Sequence, residues 1–206
     1  MRGIYIGTFD PVHHGHVHLA VSLAEAAQLS EILVIPAHCS PTKLDHPPLP
    51  IHHRIAMAEK AFKPFPFIRV LDLEAQRPAP SYTIDTLREL ERQGMAPMRL
   101  LLGSEVARTL HSWRSPEAII ELAPPIVWTL RESHPARPWP NDPISRACQA
   151  HLVELPEWEC SSTQIRARVR AGLTCAHLVP ASVWHYILEH GLYEHAPNPV
   201  CEVDSA

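Results

Sequence analysis

The chain has 206 residues, of which 46% are hydrophobic, so it is long enough for one domain with a sizeable core. Its formal net charge of −4 argues against a nucleic-acid-binding protein, yet allows a local site for one small anion. No apolar run could span a membrane, and the five cysteines lack the spacing of a disulfide framework. We expect a cytoplasmic protein with reduced thiols and, because Met1 leads directly into the first predicted strand, no signal peptide.

Apolar runs alternate with amphipathic segments along the chain. In chain order the pattern predicts strand 4–6, helix 16–28, strand 31–36, helix 51–62, strand 67–73, helix 81–93, strand 98–103, helix 116–122, strand 126–130, helix 144–150, strand 151–155, and helices 162–171 and 181–189. This alternation predicts an α/β fold: a Rossmann-like, doubly wound, mainly parallel sheet with helices on both faces and a small C-terminal helical part. We expect one domain over residues 1–193 and a flexible tail over residues 194–206.

The turn after the first predicted strand carries the sequence GTFDPVHHGH over residues 7–16. His13 lies in this turn and His16 near the first helical turn, so both imidazoles can face one small volume. Free backbone N–H groups and the positive end of the helix dipole would point at the same place. We expect Gly7 and Gly15 to let a ligand approach the backbone closely. The arrangement predicts a site for a triphosphate.

A second informative segment, CSSTQIR, occupies residues 160–166. Either Ser161 or Ser162 can cap the helix that follows, and Arg166 lies about one turn further on. Hydroxyls, amides and a guanidinium at one helix end make a site for the outer phosphates of a nucleotide. We therefore expect this segment and the histidine segment to fold together into one binding site for the nucleotide phosphates.

The two segments resemble the G-x-F-D-P-x-H-x-G-H and I-S-S-T-x-I-R signatures of the nucleotidyltransferase superfamily, with Cys160 where isoleucine is usual. Other elements resemble one branch of it, the nicotinate mononucleotide adenylyltransferases. These are PSYTIDTL at residues 80–87, Gly103-Ser104-Glu105 with Trp113 ten residues after the glycine, Lys43 in a proline-rich loop, and Arg131 after the fifth strand. The resemblance covers the chain up to about Tyr193.

This resemblance implies transfer of AMP from ATP to nicotinate mononucleotide, which gives deamido-NAD and pyrophosphate in NAD biosynthesis. It implies Mg²⁺ bound mainly through the ATP phosphates, with no metal ligands on the protein. The implied catalytic residues are His13, His16 and Arg166. The implied ATP-binding residues are Gly7, Thr8, Phe9, His13, His16, Lys43, Ser162, Thr163 and Arg166. The implied acceptor-binding residues are Tyr82, Thr83, Glu105, Trp113 and Arg131.

The sequence departs from the motifs of this branch at two positions, and several alternative functions stay open. Glu105 stands where the branch has aspartate, and Thr42 stands where its P-P-H-K loop has histidine. The sequence also allows a sister enzyme with another acceptor, such as nicotinamide mononucleotide or pantetheine phosphate, and a non-catalytic nucleotide-binding protein. A histidine-rich metal-binding protein is a third alternative, with His14 and His18 four residues apart. A homo-oligomer is neither predicted nor excluded.

Overall fold

The computed structural model describes residues 1–39, 47–130, 138–156 and 160–194. The strands are β1 (Arg2–Gly7), β2 (Glu31–Pro36), β3 (Ile68–Val70), β4 (Met98–Gly103), β5 (Pro125–Leu130) and β6 (Leu152–Leu155). The helices are α1 (His14–Ala26), α2 (Ile51–Phe62), α3 (Thr83–Arg92), α4 (Ser104–Ala107), α5 (Pro116–Leu122), α6 (Pro143–Gln149), α7 (Ser162–Arg170) and α8 (Ala181–Glu189). A 3-10 turn (Leu110–Ser112) follows α4.

All neighbouring strands run parallel, in the order β3-β2-β1-β4-β5-β6. The chain builds the sheet outward from β1 on one side and from β4 on the other, so the order reverses between these two strands. β1 pairs with β2 up to Gly7, but its pairing with β4 ends at Ile4 and Leu100. The two central strands therefore part toward their carboxyl ends, which is where a doubly wound sheet binds ligands.

Side chains alternate between the two faces of each strand and build a separate core on each face. Ile4 belongs to the core that α3, α5 and α6 cover, whereas Tyr5 belongs to the core beneath α1, α2, α7 and α8. Strand β2 is apolar on both faces, with Leu33 and Val34 buried in opposite cores. Because helices cover both faces, a ligand reaches the sheet at the loops that follow the strands.

The predicted fold class is confirmed, and β2, α2, β4, α5 and α8 have the predicted bounds. β3 is shorter than predicted because this edge strand pairs with β2 alone. Helix α1 begins two residues before its predicted start, because the extended backbone of His13 (φ −143°) already ends the turn. The sequence pattern does not predict α4 or the 3-10 turn, since both are too short to show a helical period.

Helices α7 and α8 form the predicted C-terminal helical part and pack on the same core as α1 and α2. Residues 195–206 lie outside the described ranges, so the limit of the domain at residue 193 stays a prediction. In the described ranges, every helix falls short of the length and apolar character needed to cross a bilayer.

Candidate active site

The loop between β1 and α1 is built around the ring of Phe9. This residue is 1% exposed, has a left-handed φ of 50°, and packs edge-on against Tyr5 with ring centroids 5.3 Å apart. A Cβ atom on Gly7 would lie 2.9 Å from the Phe9 ring. The missing side chain of Gly7 therefore makes room for Phe9, and the expectation that it also admits a ligand stays a prediction.

His13 and His16 stack on each other at the start of α1. Their ring centroids are 3.8 Å apart, with 29° between the ring planes. The backbone N–H of His13 donates to Nδ1 of His16 over 3.2 Å. Because Nδ1 accepts this bond, a neutral His16 carries its proton on Nε2 and presents an N–H donor there. The structure thus brings the two histidines together, as their spacing predicts.

Burial keeps His13 neutral. The residue is 6% exposed, and desolvation, followed by the charge of His14, lowers its pKa to about 4. A Cβ atom on Gly15 would lie 3.0 Å from Nδ1 and 3.1 Å from Cε1 of His13. Gly15 therefore makes room for the buried imidazole, and the expectation that it lets the backbone approach a phosphate stays a prediction.

The lowered pKa of His13 makes the stability of the ligand-free protein fall in weak acid. Between pH 6.5 and pH 4 the unfolded chain binds this proton more readily than the folded chain, so acid favours unfolding. We expect this residue to remove about 2 kcal/mol from the free energy of unfolding between pH 7 and pH 5. Urea titrations at both pH values measure the loss. His13→Asn should reduce the pH dependence by that amount, and an unchanged dependence would contradict the burial argument.

The second sequence segment lies against the first. Ser161 caps α7 by accepting the backbone N–H of Gln164 over 3.2 Å, which decides between the two candidate caps. The hydroxyl of Ser162 donates to the carbonyl of Pro11 over 2.9 Å. Nη1 of Arg166 donates to the carbonyl of Asp10 over 2.7 Å. The histidine segment and the start of α7 are therefore joined, although they lie about 150 residues apart in the chain.

The hydroxyl of Thr163 has a different role from that of Ser162. It accepts a hydrogen bond from Nη2 of Arg166 over 3.3 Å, which leaves the hydroxyl proton of Thr163 able to turn toward a ligand. The proton of Ser162 already points at Pro11. Of the two side chains, Thr163 is therefore the better donor to a phosphate, and Ser162 mainly joins the two segments.

The predicted acceptor-binding elements also meet. The guanidinium of Arg114 lies 4.8 Å from the centroid of the Tyr82 ring and 3.5 Å from the carboxylate of Asp85. Arg114 directly follows Trp113, which is partly buried at the end of the 3-10 turn and donates from Nε1 to the hydroxyl of Thr109 over 3.1 Å. The start of α3 and the Trp113 segment therefore form neighbouring parts of one surface.

Of the other predicted residues, the structure describes Glu105 but not Lys43 or Arg131. The side chain of Glu105 is 68% exposed and pairs with Arg108 at 3.0 Å. A ribose hydroxyl would share the Glu105 carboxylate with that guanidinium. Lys43 and Arg131 lie outside the described residues, so their roles stay predictions. Across the described residues, no group of three or more histidine, cysteine, aspartate or glutamate side chains could hold a metal ion.

Sequence reasoning missed a buried arginine beside this site. Arg54, on α2, is 1% exposed. Its guanidinium donates to four carbonyl oxygens at 2.6 to 2.8 Å: those of Thr8, Ala37, His38 and Leu49. These bonds tie the ends of β1 and β2 together and place a positive charge close to the histidine segment. No local signal marks Arg54, because a single arginine on an amphipathic helix usually faces water.

A buried carboxylate, which sequence reasoning also missed, links the loop after β2 to α3. Glu74 is 1% exposed and accepts a hydrogen bond from the Thr86 hydroxyl over 2.7 Å and one from the His38 backbone N–H over 3.2 Å. Arg77 donates to the same hydroxyl over 2.6 Å. This network holds α3, which begins at the predicted acceptor-binding element, to the loop that follows β2.

Comparison with known proteins agrees with this geometry. Residues 4–168 match the family model described as cytidylyltransferase-like. A protein of Thermomicrobium roseum named probable nicotinate-nucleotide adenylyltransferase is 37% identical over 199 residues, which cover 93% of this chain and 90% of the relative. A protein of the same name from Roseiflexus sp. strain RS-1 is 37% identical over 201 residues, covering 93% and 96% of the two chains.

Solved structures share the fold. The nicotinic acid mononucleotide adenylyltransferase of Plasmodium falciparum, complexed with NaAD, superposes with a TM-score of 0.74 at 20% identity, covering 94% of this chain and 97% of that chain. The same enzyme complexed with APC has a TM-score of 0.70. These likenesses establish the fold, while the similarity to the curated relatives establishes the family. The chain belongs to the cytidylyltransferase-like family and, within it, to the nicotinate-nucleotide adenylyltransferases.

Proposed function

We propose that this enzyme transfers AMP from ATP to nicotinate mononucleotide and releases deamido-NAD and pyrophosphate. One observation carries the proposal. Arg166 donates to the Asp10 carbonyl over 2.7 Å, so the histidine segment and the start of α7 lie on two sides of the same candidate site. Imidazole, hydroxyl and guanidinium donors at one strand end suit a polyphosphate. The names of the curated relatives support nicotinate mononucleotide as the acceptor.

The reaction requires that the two reacting phosphates be aligned and that their negative charge be neutralised. The second pKa of a phosphomonoester is near 6, so the attacking oxygen of the mononucleotide is already largely anionic at neutral pH. This oxygen bonds to the α-phosphorus of ATP as the bond from that phosphorus to the bridging oxygen breaks, and pyrophosphate takes the electron pair. No general base or covalent nucleophile is needed. The protein contributes by holding the two phosphates in line and by stabilising the negative charge that builds up.

We assign the donors as follows. Nε2 of His16 donates to the transferred phosphoryl group, since Nδ1 is held by the backbone of His13. The neutral His13 supplies a further donor at the α- and β-phosphates. Arg166 and Thr163 hold the leaving pyrophosphate, and Lys43 adds charge from its loop. This set combines neutral donors near the reacting phosphorus with positive charge at the leaving group.

Mg²⁺ would enter with ATP as part of the substrate and would be held mainly by its phosphate oxygens and by water. The side chains here suit phosphate rather than a protein-bound Mg²⁺, because histidine, arginine and threonine can donate hydrogen bonds to phosphate oxygens, whereas Mg²⁺ prefers carboxylate ligands. The nearby carboxylate of Asp10 already accepts a hydrogen bond from Tyr193. Mg²⁺ would neutralise part of the charge on the outer phosphates.

The acceptor is recognised at the start of α3. First-turn N–H groups of a helix have no partner within the helix and attract a carboxylate. Tyr82 is the N-cap and Thr83 the first helical residue, so both lie at this end. A carboxylate gains more from such donors than a carboxamide does, which favours the nicotinate form of the mononucleotide over the nicotinamide form.

Incubation with ATP, Mg²⁺ and each candidate acceptor tests the proposal, with released pyrophosphate and product mass as readouts. We expect deamido-NAD from nicotinate mononucleotide and much slower turnover with nicotinamide mononucleotide or pantetheine phosphate. Faster turnover with either of these would indicate the sister activity. ATP binding without pyrophosphate release under any acceptor would indicate a nucleotide-binding protein without catalysis.

Trp113 is expected to stack on the pyridine ring of the acceptor. Its replacement by alanine should raise the KM for nicotinate mononucleotide about tenfold, because the aromatic face is lost, and leave the KM for ATP nearly unchanged. Steady-state kinetics with each substrate varied in turn measure both constants. Trp113→Phe is the conservative control and should recover most of the acceptor affinity. An equal rise in both constants would contradict the stacking role.

A further inference from the structure

The phenol of Tyr193 reaches the histidine segment from the other end of the chain. Tyr193 lies four residues after α8, is 6% exposed and has a left-handed φ of 68°. Its hydroxyl donates to Oδ1 of Asp10 over 2.8 Å, and both groups are buried. Burial, followed by the neighbouring Asp10 carboxylate, raises the pKa of Tyr193 far above its usual value, so the phenol stays a protonated donor.

The Asp10 carboxylate lies between this phenol and the guanidinium of Arg166. Nη1 of Arg166 is 3.9 Å from Oδ2 of Asp10, which is beyond hydrogen-bond distance. Nη1 donates instead to the main-chain oxygen of Asp10 over 2.7 Å. The two side chains are therefore close, with opposite charges, yet they do not form the two-bond pair that a carboxylate and a guanidinium prefer.

We propose that Tyr193 is a positioning residue for catalysis: by holding Oδ1 of Asp10, it keeps this carboxylate from closing on Arg166. The guanidinium then stays directed toward the outer phosphates of ATP. Without the phenol, the carboxylate would turn and form the two-bond pair with Arg166. That pair would neutralise the charge needed by the departing pyrophosphate. The inference rests on the proposed function, because it assigns the outer phosphates to Arg166.

Tyr193→Phe removes the hydroxyl and keeps the ring. We expect the KM for ATP to rise about tenfold and the KM for nicotinate mononucleotide to change less than about twofold. Tyr186→Phe is the matched control, since it removes a hydroxyl that bonds to His53 over 3.0 Å on the α2–α8 contact. Both constants should stay at the wild-type values in this control. An unchanged KM for ATP in Tyr193→Phe would overturn the proposal.

A double-mutant cycle shows whether the effect passes through Arg166. In an Arg166→Ala background, Tyr193→Phe should not raise the KM for ATP any further, because no guanidinium remains to be captured. Independent, additive effects would overturn the proposal. If Tyr193→Phe does not fold alone, Tyr193→Phe with Asp10→Asn is the second test, since the amide lacks the charge that closes on Arg166. A KM for ATP near wild type is expected there, and a tenfold increase would count against the role.

Calorimetric binding of a non-hydrolysable ATP analogue separates this inference from the proposed function. If the wild-type protein binds the analogue but makes no dinucleotide, the proposed function fails. An affinity about tenfold weaker in Tyr193→Phe would still support the role of Tyr193 in that case. Equal affinities in the two proteins would overturn that role, whatever the turnover.

Discussion

Replacing His16 with alanine is expected to lower kcat/KM by on the order of 10³-fold while the protein stays folded. In the proposed reaction Nε2 of His16 donates to the phosphoryl group under attack, since Nδ1 accepts the backbone N–H of His13 over 3.2 Å. A donor already aimed at developing charge needs no reorganisation during the reaction, which is why its loss is large. Pyrophosphate release gives the rate, and thermal unfolding checks the fold.

The variant His16→Asn separates the roles of the two ring nitrogens. Oδ1 of asparagine can replace Nδ1 as acceptor for the backbone of His13, but nothing replaces Nε2. We expect thermal stability near wild type with turnover as low as in the alanine variant. His14→Ala is the matched control, because His14 is the neighbouring histidine and donates to no phosphate in the proposed reaction. Wild-type turnover in His16→Asn would mean that His16 contributes the backbone bond rather than the donor.

The largest loss of stability is expected from Arg54→Met. Methionine fills much of the same volume but removes all of the hydrogen bonds that the guanidinium donates to the four carbonyl oxygens. Buried polar groups without partners are strongly unfavourable, so we expect the free energy of unfolding to fall by about 3 to 5 kcal/mol. Urea denaturation at pH 7 measures the change.

Two further variants bracket this expectation. Arg54→Lys keeps the charge but presents its donors from one nitrogen, so it should recover only part of the lost stability. Arg69→Met is the matched control, because Arg69 makes an exposed ion pair with Glu31 at 3.0 Å. Such a pair contributes less than about 1 kcal/mol. If Arg54→Met proved no more destabilising than Arg69→Met, the four carbonyl bonds would not hold the strand ends as inferred.

The sequence pattern predicts the secondary structure best where the period is strong and the ends are marked. Strand β2 is a continuous apolar run, and α5 begins at a proline, so both have the predicted bounds. The edge strand β3 is overestimated, because its apolar residues continue beyond the part that pairs with β2. The pattern within one segment does not say how far a neighbouring strand will run beside it.

In the candidate site, too, some features are predicted from local sequence and others are not. The spacing of His13 and His16 predicts that they lie together, because three residues are about one helical turn. The contact between Gly15 and the His13 ring is not predicted from the sequence, since only the folded loop brings that ring within 3.0 Å of a Cβ at position 15. Arg54 and Tyr193 give no signal in the sequence, since all of their partners except Leu49 lie 16 to 183 residues away.

By itself the order of residues determined the alternation of strands and helices and marked the two segments that we propose bind phosphate. Periodicity, turn residues and motif spacing are properties of short stretches of chain, so they do not depend on contacts between distant parts of the sequence. Tertiary structure alone decided which partner each polar group finds: Arg54 at the strand ends, Glu74 between the loop after β2 and α3, and Tyr193 on Asp10. These contacts depend on the path of the whole chain, because burial forces each polar group to pair with whatever the fold places beside it.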